Sequence, residues 1–174
     1  MIDHFYQSIP VRSPGVTQVY QLTVSEAQSD TESALVYVEV GSQPGHSTAF
    51  MAVEIANSGK NIEFTTIDLL AQPLEAADGL YTLKNTDSIQ AADDYENASL
   101  DFVFLDPDDV SGLVDHIRVW LPKVKTGGTL GGSNYYWQNS GPVETAVHQF
   151  FKQEAVSNPA GCWIVTVEPA SPQS

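Results

Sequence analysis

Cationic side chains are scarce in this chain: 7 Lys plus Arg stand against 22 Asp plus Glu in 174 residues, for a formal net charge of -15. A field of that sign repels phosphate backbones, which argues against a nucleic-acid substrate and makes the acidity a source of solubility. Cysteine is almost absent too. The single Cys162 excludes an intrachain disulfide, and its place in the apolar run "CWIVTV" suits a buried thiol better than a nucleophile. No apolar run exceeds the length of a strand, so no membrane partner is expected. The opening "MIDHFYQSIP" has neither a basic nor an apolar segment of the kind that marks a chain for export, and a cytoplasmic location is the expectation.

What is present is ordinary for a folded protein: 42% hydrophobic, 10% aromatic and 17% charged residues, with no break in composition along the chain. The expectation is one domain over residues 1–174, with a helical extension at 1–33, a core at 34–168 and a tail at 169–174. Strand-like runs at 34–40, 62–68, 80–85, 100–106, 128–133 and 162–167 alternate with segments of helical spacing. That alternation predicts an α/β protein with a mostly parallel sheet covered by helices. The helical segments are 16–29, the stretch from Gly45 to a stop at Gly59 with Ser47 and Thr48 as caps, 88–96 opened by Ser88, 111–122, and 141–155 with Pro142 in its first turn.

Between the first strand and its helix lies "VEVGSQPGHST", an acid followed by a glycine loop. A dinucleotide fingerprint needs G-x-G-x-x-G, and Gln43 and His46 occupy two of those glycine places, so a nicotinamide oxidoreductase fits poorly. An adenosyl ligand without a pyrophosphate asks less of the loop. Gly41 and Gly45 let the backbone approach, Glu39 is placed to accept from an amino group, and Asp68 offers two oxygens to a vicinal diol. Ser42 and His46 belong to the same turn and count with it as cofactor contacts, His46 alternatively as a capping residue. A solvated loop carboxylate is the plain alternative for each acid.

Taken together, "YVEVGSQPGHST", "FTTID", "DSIQAADDYENASLDFVFLDPDD" and "DHIRVWLPKVKTGGTLGGSNYYW...GPVETAVHQFF" resemble a class I S-adenosylmethionine-dependent methyltransferase, most closely the small family-24 type with its metal-dependent O-methyltransferases. The resemblance runs from about residue 34 to residue 152. It implies a Rossmann-like, doubly wound sheet with helices on both faces and a shortened final antiparallel hairpin. It also implies S-adenosyl-L-methionine as cofactor, Asp87 and Ser88 at the adenine, and Asp106 beside the methyl group.

Two turns depart from the family pattern. After the fourth strand the chain reads "DPDDVSG", with Asp109 where a histidine is usual; after the fifth it reads "GGSNYYW", with Ser133 and Asn134 in place of histidine and aspartate. Asp106 with Asp108 or Asp109 and Asn134 could supply hard oxygen ligands to Mg2+, against an acidic loop facing water as the alternative. Asp106 and Asp109 are the catalytic candidates and Asp106 with Asn134 the metal candidates. Tyr135, Tyr136 and Trp137 are placed to wall an acceptor, His4 falls in the terminal segment, and His116 and His148 read as surface histidines. The expected activity is methyl transfer to a small-molecule acceptor, a hydroxyl compound. The alternative is a non-catalytic module that keeps the fold and ligand; oligomeric state is not legible.

Overall fold

The strand runs are apolar at odd and even positions alike, so a sheet built from them must be covered on both faces. The computed structural model describes residues 1–3, 5–10, 14–29, 32–107, 109–135 and 141–169. Six strands, β1 (Leu35–Val40), β2 (Ile62–Ile67), β3 (Thr82–Lys84), β4 (Leu100–Leu105), β5 (Val124–Gly132) and β6 (Trp163–Thr166), form one sheet in the order β3-β2-β1-β4-β5-β6. The first five run parallel, and β6 is antiparallel to β5.

Strand alternation sorts the core into two clusters. Val38, Val40, Val103 and Leu105 pack with Leu113, Ile117 and Trp120 of α4 (Leu113–Trp120) and with Val143, Ala146 and Val147 of α5 (Gly141–Val147). Tyr37, Phe64, Phe102 and Phe104 face the other way, against Val16, Val19 and Tyr20 of α1 (Pro14–Glu26) and Ala49, Phe50, Met51 and Val53 of α2 (His46–Ser58). A short α3 (Ser88–Ala91) supplies Ala91 to the first cluster. This is the Rossmann-like architecture expected from the alternation. Among the described residues β6 alone represents the closing hairpin, and no helix is long and apolar enough to cross a membrane.

Several local expectations need correction. Ser47 and Thr48 do not cap α2; Gly45 holds the N-cap in a left-handed conformation with no side-chain cap, while Gly59 ends the helix at φ 68° as expected. Asp87, not Ser88, caps α3, its Oδ1 accepting from the amides of Ile89 and Gln90 at 3.0 Å each. β5 starts at Val124 because the ladder with β4 shifts register between Leu100 and Phe102. α5 stops at Val147, where the following amides, Gln149 to Ala146 and Phe150 to Val147, turn back after three residues instead of four. The β2–β3 crossover, for which no helix was expected, carries the 3-10 turn Glu75–Ala77.

Phe102 lies at the centre of the aromatic cluster, 1% exposed and in ring contact with Tyr20, Tyr37 and Phe104. Phe102→Ala is expected to lower the unfolding free energy by about 3–5 kcal/mol, measured by urea titration.

Candidate functional site

Register sets the site. Val40 pairs with Ile67 on one side and Leu105 on the other, so the residues that follow, Gly41, Asp68 and Asp106, emerge together at the carboxyl edge. The Gly41 amide still donates to Ile67 O (2.9 Å) and the Asp106 amide to Val40 O (2.7 Å), which extends the ladder past the strand ends. A cleft of about 290 Å³ opens over this edge, lined by Gly41, Asp68, Asp87, Ser88, Asp109 and His116 among others. Five expected site residues thus converge, with one histidine that was not expected.

Asp68 is the most heavily used of them. Its Oδ2 accepts from the amides of Ser42 (2.9 Å) and Gln43 (3.2 Å), and its Oδ1 from those of Leu70 (2.8 Å) and Ala71 (2.9 Å). One carboxylate therefore fastens both loops that border the cleft. Gly41 is required for a related reason: at φ 84°, a Cβ there would lie 2.1 Å from the carbonyl oxygen of Asp106. The glycine admits the neighbouring strand end. Gly45, at φ 98°, leaves room for a methyl group of Leu74.

Glu39 is not among the residues lining the cleft. Alternation along β1 turns it to the face opposite Val38 and Val40, and it is 1% exposed. There it accepts hydrogen bonds from Tyr20 Oη (2.8 Å), Thr66 Oγ1 (2.9 Å) and Thr48 Oγ1. Thr66 is its in-register neighbour on β2, so the contact follows from the sheet itself. Its oxygens point into hydroxyl groups of the interior, not into the cleft. Burial raises the Glu39 carboxyl above its ordinary 4.5, although hydrogen bonds from Ser47, Thr48, Tyr20 and Thr66 pull it back in part. Tyr20, wholly buried, is pushed well above its ordinary value by burial and then by Glu39.

Ser42, Gly45 and His46 are not among the residues lining the cleft. Ser42 and Gly45 line a second cavity of about 260 Å³, together with Thr48, Thr66 and Tyr81. Ser42 Oγ is buried there without a hydrogen-bond partner. His46, 8% exposed, meets the Tyr6 ring edge-on at 5.5 Å, and burial lowers its pKa.

On the acceptor side, Asp106 is 8% exposed and its Oδ1 accepts from Ser133 Oγ. Asp109 takes the Ser111 amide (2.8 Å) on Oδ1 and the Ser111 hydroxyl (2.6 Å) on Oδ2, capping the turn Val110–Gly112, and these bonds hold its carboxyl below the ordinary value. Asn134 adopts left-handed backbone at φ 61° just after β5. Among the described residues no three His, Cys, Asp or Glu side chains converge as metal ligands, and no step is routed through a metal. Asp108, Tyr136, Trp137, His4 and the chain end at 170–174 lie outside the described residues. Cys162 is fully buried, its thiol pushed up to about 12 by burial and the nearby Asp106.

His116 was misread as a surface residue. It is 9% exposed, with Nε2 at 2.7 Å from Ser88 Oγ and Nδ1 at 2.9 Å from Gly112 O. The signal was available: His116 stands three residues after Leu113 and four before Trp120, on the apolar stripe of α4. His148 is likewise engaged, with Tyr135 Oη at 2.8 Å from its Nε2.

No protein-family model matches the chain, and no curated protein matches it in sequence. Solved structures do match in fold. A Corynebacterium glutamicum protein superposes with a TM-score of 0.68 at 14% identity, covering 94% of this chain and 85% of that one. A methyltransferase from Geobacter sulfurreducens gives 0.65 at 16% identity, covering 91% and 80%. A SAM-dependent O-methyltransferase from Thermotoga maritima gives 0.64 at 13% identity, covering 96% and 70%. The fold is the Rossmann-like fold that these methyltransferases share.

Because Glu39 keeps its proton above pH 4.5, the folded chain binds more protons than the unfolded one over the interval just above that value. The contribution of Glu39 to stability therefore falls as pH rises from 4.5 through the raised folded pKa. Glu39→Gln is expected to flatten that descent, measured as urea midpoints from below pH 4.5 to neutrality.

Proposed function

We propose that this chain binds S-adenosyl-L-methionine in the cleft over β1, β2 and β4 and transfers its methyl group to a small-molecule acceptor, a hydroxyl compound. One observation carries the reading: the described residues lining the cleft include three carboxylates, Asp68, Asp87 and Asp109, and no Lys or Arg. Such a lining suits a cationic sulfonium and disfavours the pyrophosphate of a dinucleotide, which needs cationic or amide donors. The position also supports it, since ligands of open parallel sheets bind outside the carboxyl ends of the strands.

The cofactor, when bound, supplies an electrophilic methyl group. The chain's residues bind and orient. Asp68 would hold the ribose diol, and because each of its oxygens already accepts two amides, the hydroxyls share or displace those of Ser42 and Gln43. Asp87 and Ser88 would border the nucleobase. The scarcity of basic residues, 7 in the chain, supports a small acceptor over a nucleic acid.

A second reading, ligand binding without turnover, is favoured by Asp106, which is buried and hydrogen-bonded by Ser133 instead of open to an acceptor. The family-24 subtype stands with the first reading, since a hydroxyl acceptor needs its proton removed.

Calorimetry with S-adenosylhomocysteine, with and without magnesium, tests the site. Native protein is expected to bind, and Asp68→Asn to bind about tenfold more weakly, the cost of trading a charged acceptor for a neutral one. Failure of the native chain to bind overturns the proposal. Labelled S-adenosylmethionine offered with phenols and alcohols separates the two readings, because sustained label transfer excludes the binding module.

A further inference from the structure

α4 grips residue 88 with two side chains one turn apart. Trp120 Nε1 donates to the Ser88 carbonyl at 3.1 Å, and His116 Nε2 lies 2.7 Å from the Ser88 hydroxyl. The other imidazole nitrogen, Nδ1, is 2.9 Å from Gly112 O. A carbonyl only accepts, so Nδ1 carries the hydrogen, and in the neutral ring Nε2 is then an acceptor. The one hydroxyl proton of Ser88 is consequently directed at His116. Both residues line the cleft that holds Asp68, so what the Ser88 hydroxyl has left to offer a ligand is lone pairs.

We infer that His116 sets the polarity of the Ser88 hydroxyl, making it an acceptor toward the cleft, and thereby selects a purine that presents an amine and not an oxo group at the position facing Ser88. In an adenosyl ligand that group is the exocyclic amine; a 6-oxo purine presents an acceptor there and meets lone pairs with lone pairs. His116 is a positioning residue in this scheme. The inference rests on the adenosyl reading of the cleft and adds to it the residue that discriminates the base.

The test is the ratio of two affinities, measured calorimetrically with S-adenosylhomocysteine and its inosine counterpart. The native protein is expected to prefer the amino purine by about tenfold or more, the scale on which mismatched buried polar groups discriminate. His116→Phe retains a ring on α4 but removes the acceptor, which frees the Ser88 hydroxyl to donate as well; the preference is expected to shrink to about twofold. Ser88→Ala is expected to shrink it similarly, and it carries the test alone if His116→Phe does not fold. A packing defect would weaken both ligands and leave the ratio intact. An unchanged ratio in the variants, or no preference in the native protein, overturns the inference while the adenosyl reading stands. Absence of binding by both nucleosides to the native protein overturns both.

Discussion

The cleft depends on one side chain. Loops that leave the carboxyl edge of a parallel sheet carry amides with no ladder partner, and buried or half-buried amides must be paired. Asp68 pairs four of them, two from the loop after β1 and two from its own loop. Such bonds to a charged acceptor are the stronger kind. Asn85, just after β3, completes the arrangement from the other side by donating to Asp68 O (3.0 Å) and Ala71 O (2.8 Å). Two polar residues thus set the relative positions of three strand tips. All four bonds draw on the lone pairs of one carboxylate, which also faces the cleft.

Much of this was legible in the sequence, for physical reasons. Apolar runs of strand length bounded by glycine and acid located the six strands, because a strand buried on both faces has to be apolar throughout. The facing of the acids was less accessible. Asp68 and Asp106 come one residue after their strands, whereas Glu39 is the penultimate residue of β1 with Val40 beyond it. Glu39 therefore sits two register positions before the level of Gly41, Asp68 and Asp106, still under cover, where Tyr20 of α1 and Thr48 of α2 reach it. Turn chemistry was also hard to read: Asp87 and Asp109 look like ligand-side acids, yet both use oxygens to cap the short helical turns that follow them. The end of α5 was missed because Phe150 and Phe151 continue the apolar spacing, although only partial burial remains for them beyond Val147.

The interior under α1 explains why the amino-terminal helix packs on the sheet. Glu39 and Asp106 are both buried, and the phenol of Tyr20 on α1 donates to Glu39 while sensing the charge of Asp106. A buried carboxylate without donors is costly. Removing α1 would strip Glu39 of one of its hydroxyl donors and open the aromatic cluster of Phe102 and Phe104. The helix is therefore part of the core's polar accounting as well as its apolar packing.

The way the cleft acids are satisfied bears directly on what they can attract. Asp68 and Asp87 are held by backbone amides, and Asp109 by an amide and a hydroxyl of Ser111. The described ion pairs, Lys84 with Asp94, Arg118 with Asp115 and Lys125 with Asp101, engage other carboxylates. Dipolar donors stabilise a carboxylate without cancelling its charge, whereas a lysine or arginine partner would cancel it. A cleft built in the first way stays electrostatically negative while its side chains stay fixed, and in a chain with a net charge of -15 the surrounding field reinforces it. That combination favours a ligand carrying positive charge at its reactive atom, and it weakens as soon as a basic residue is introduced at the rim.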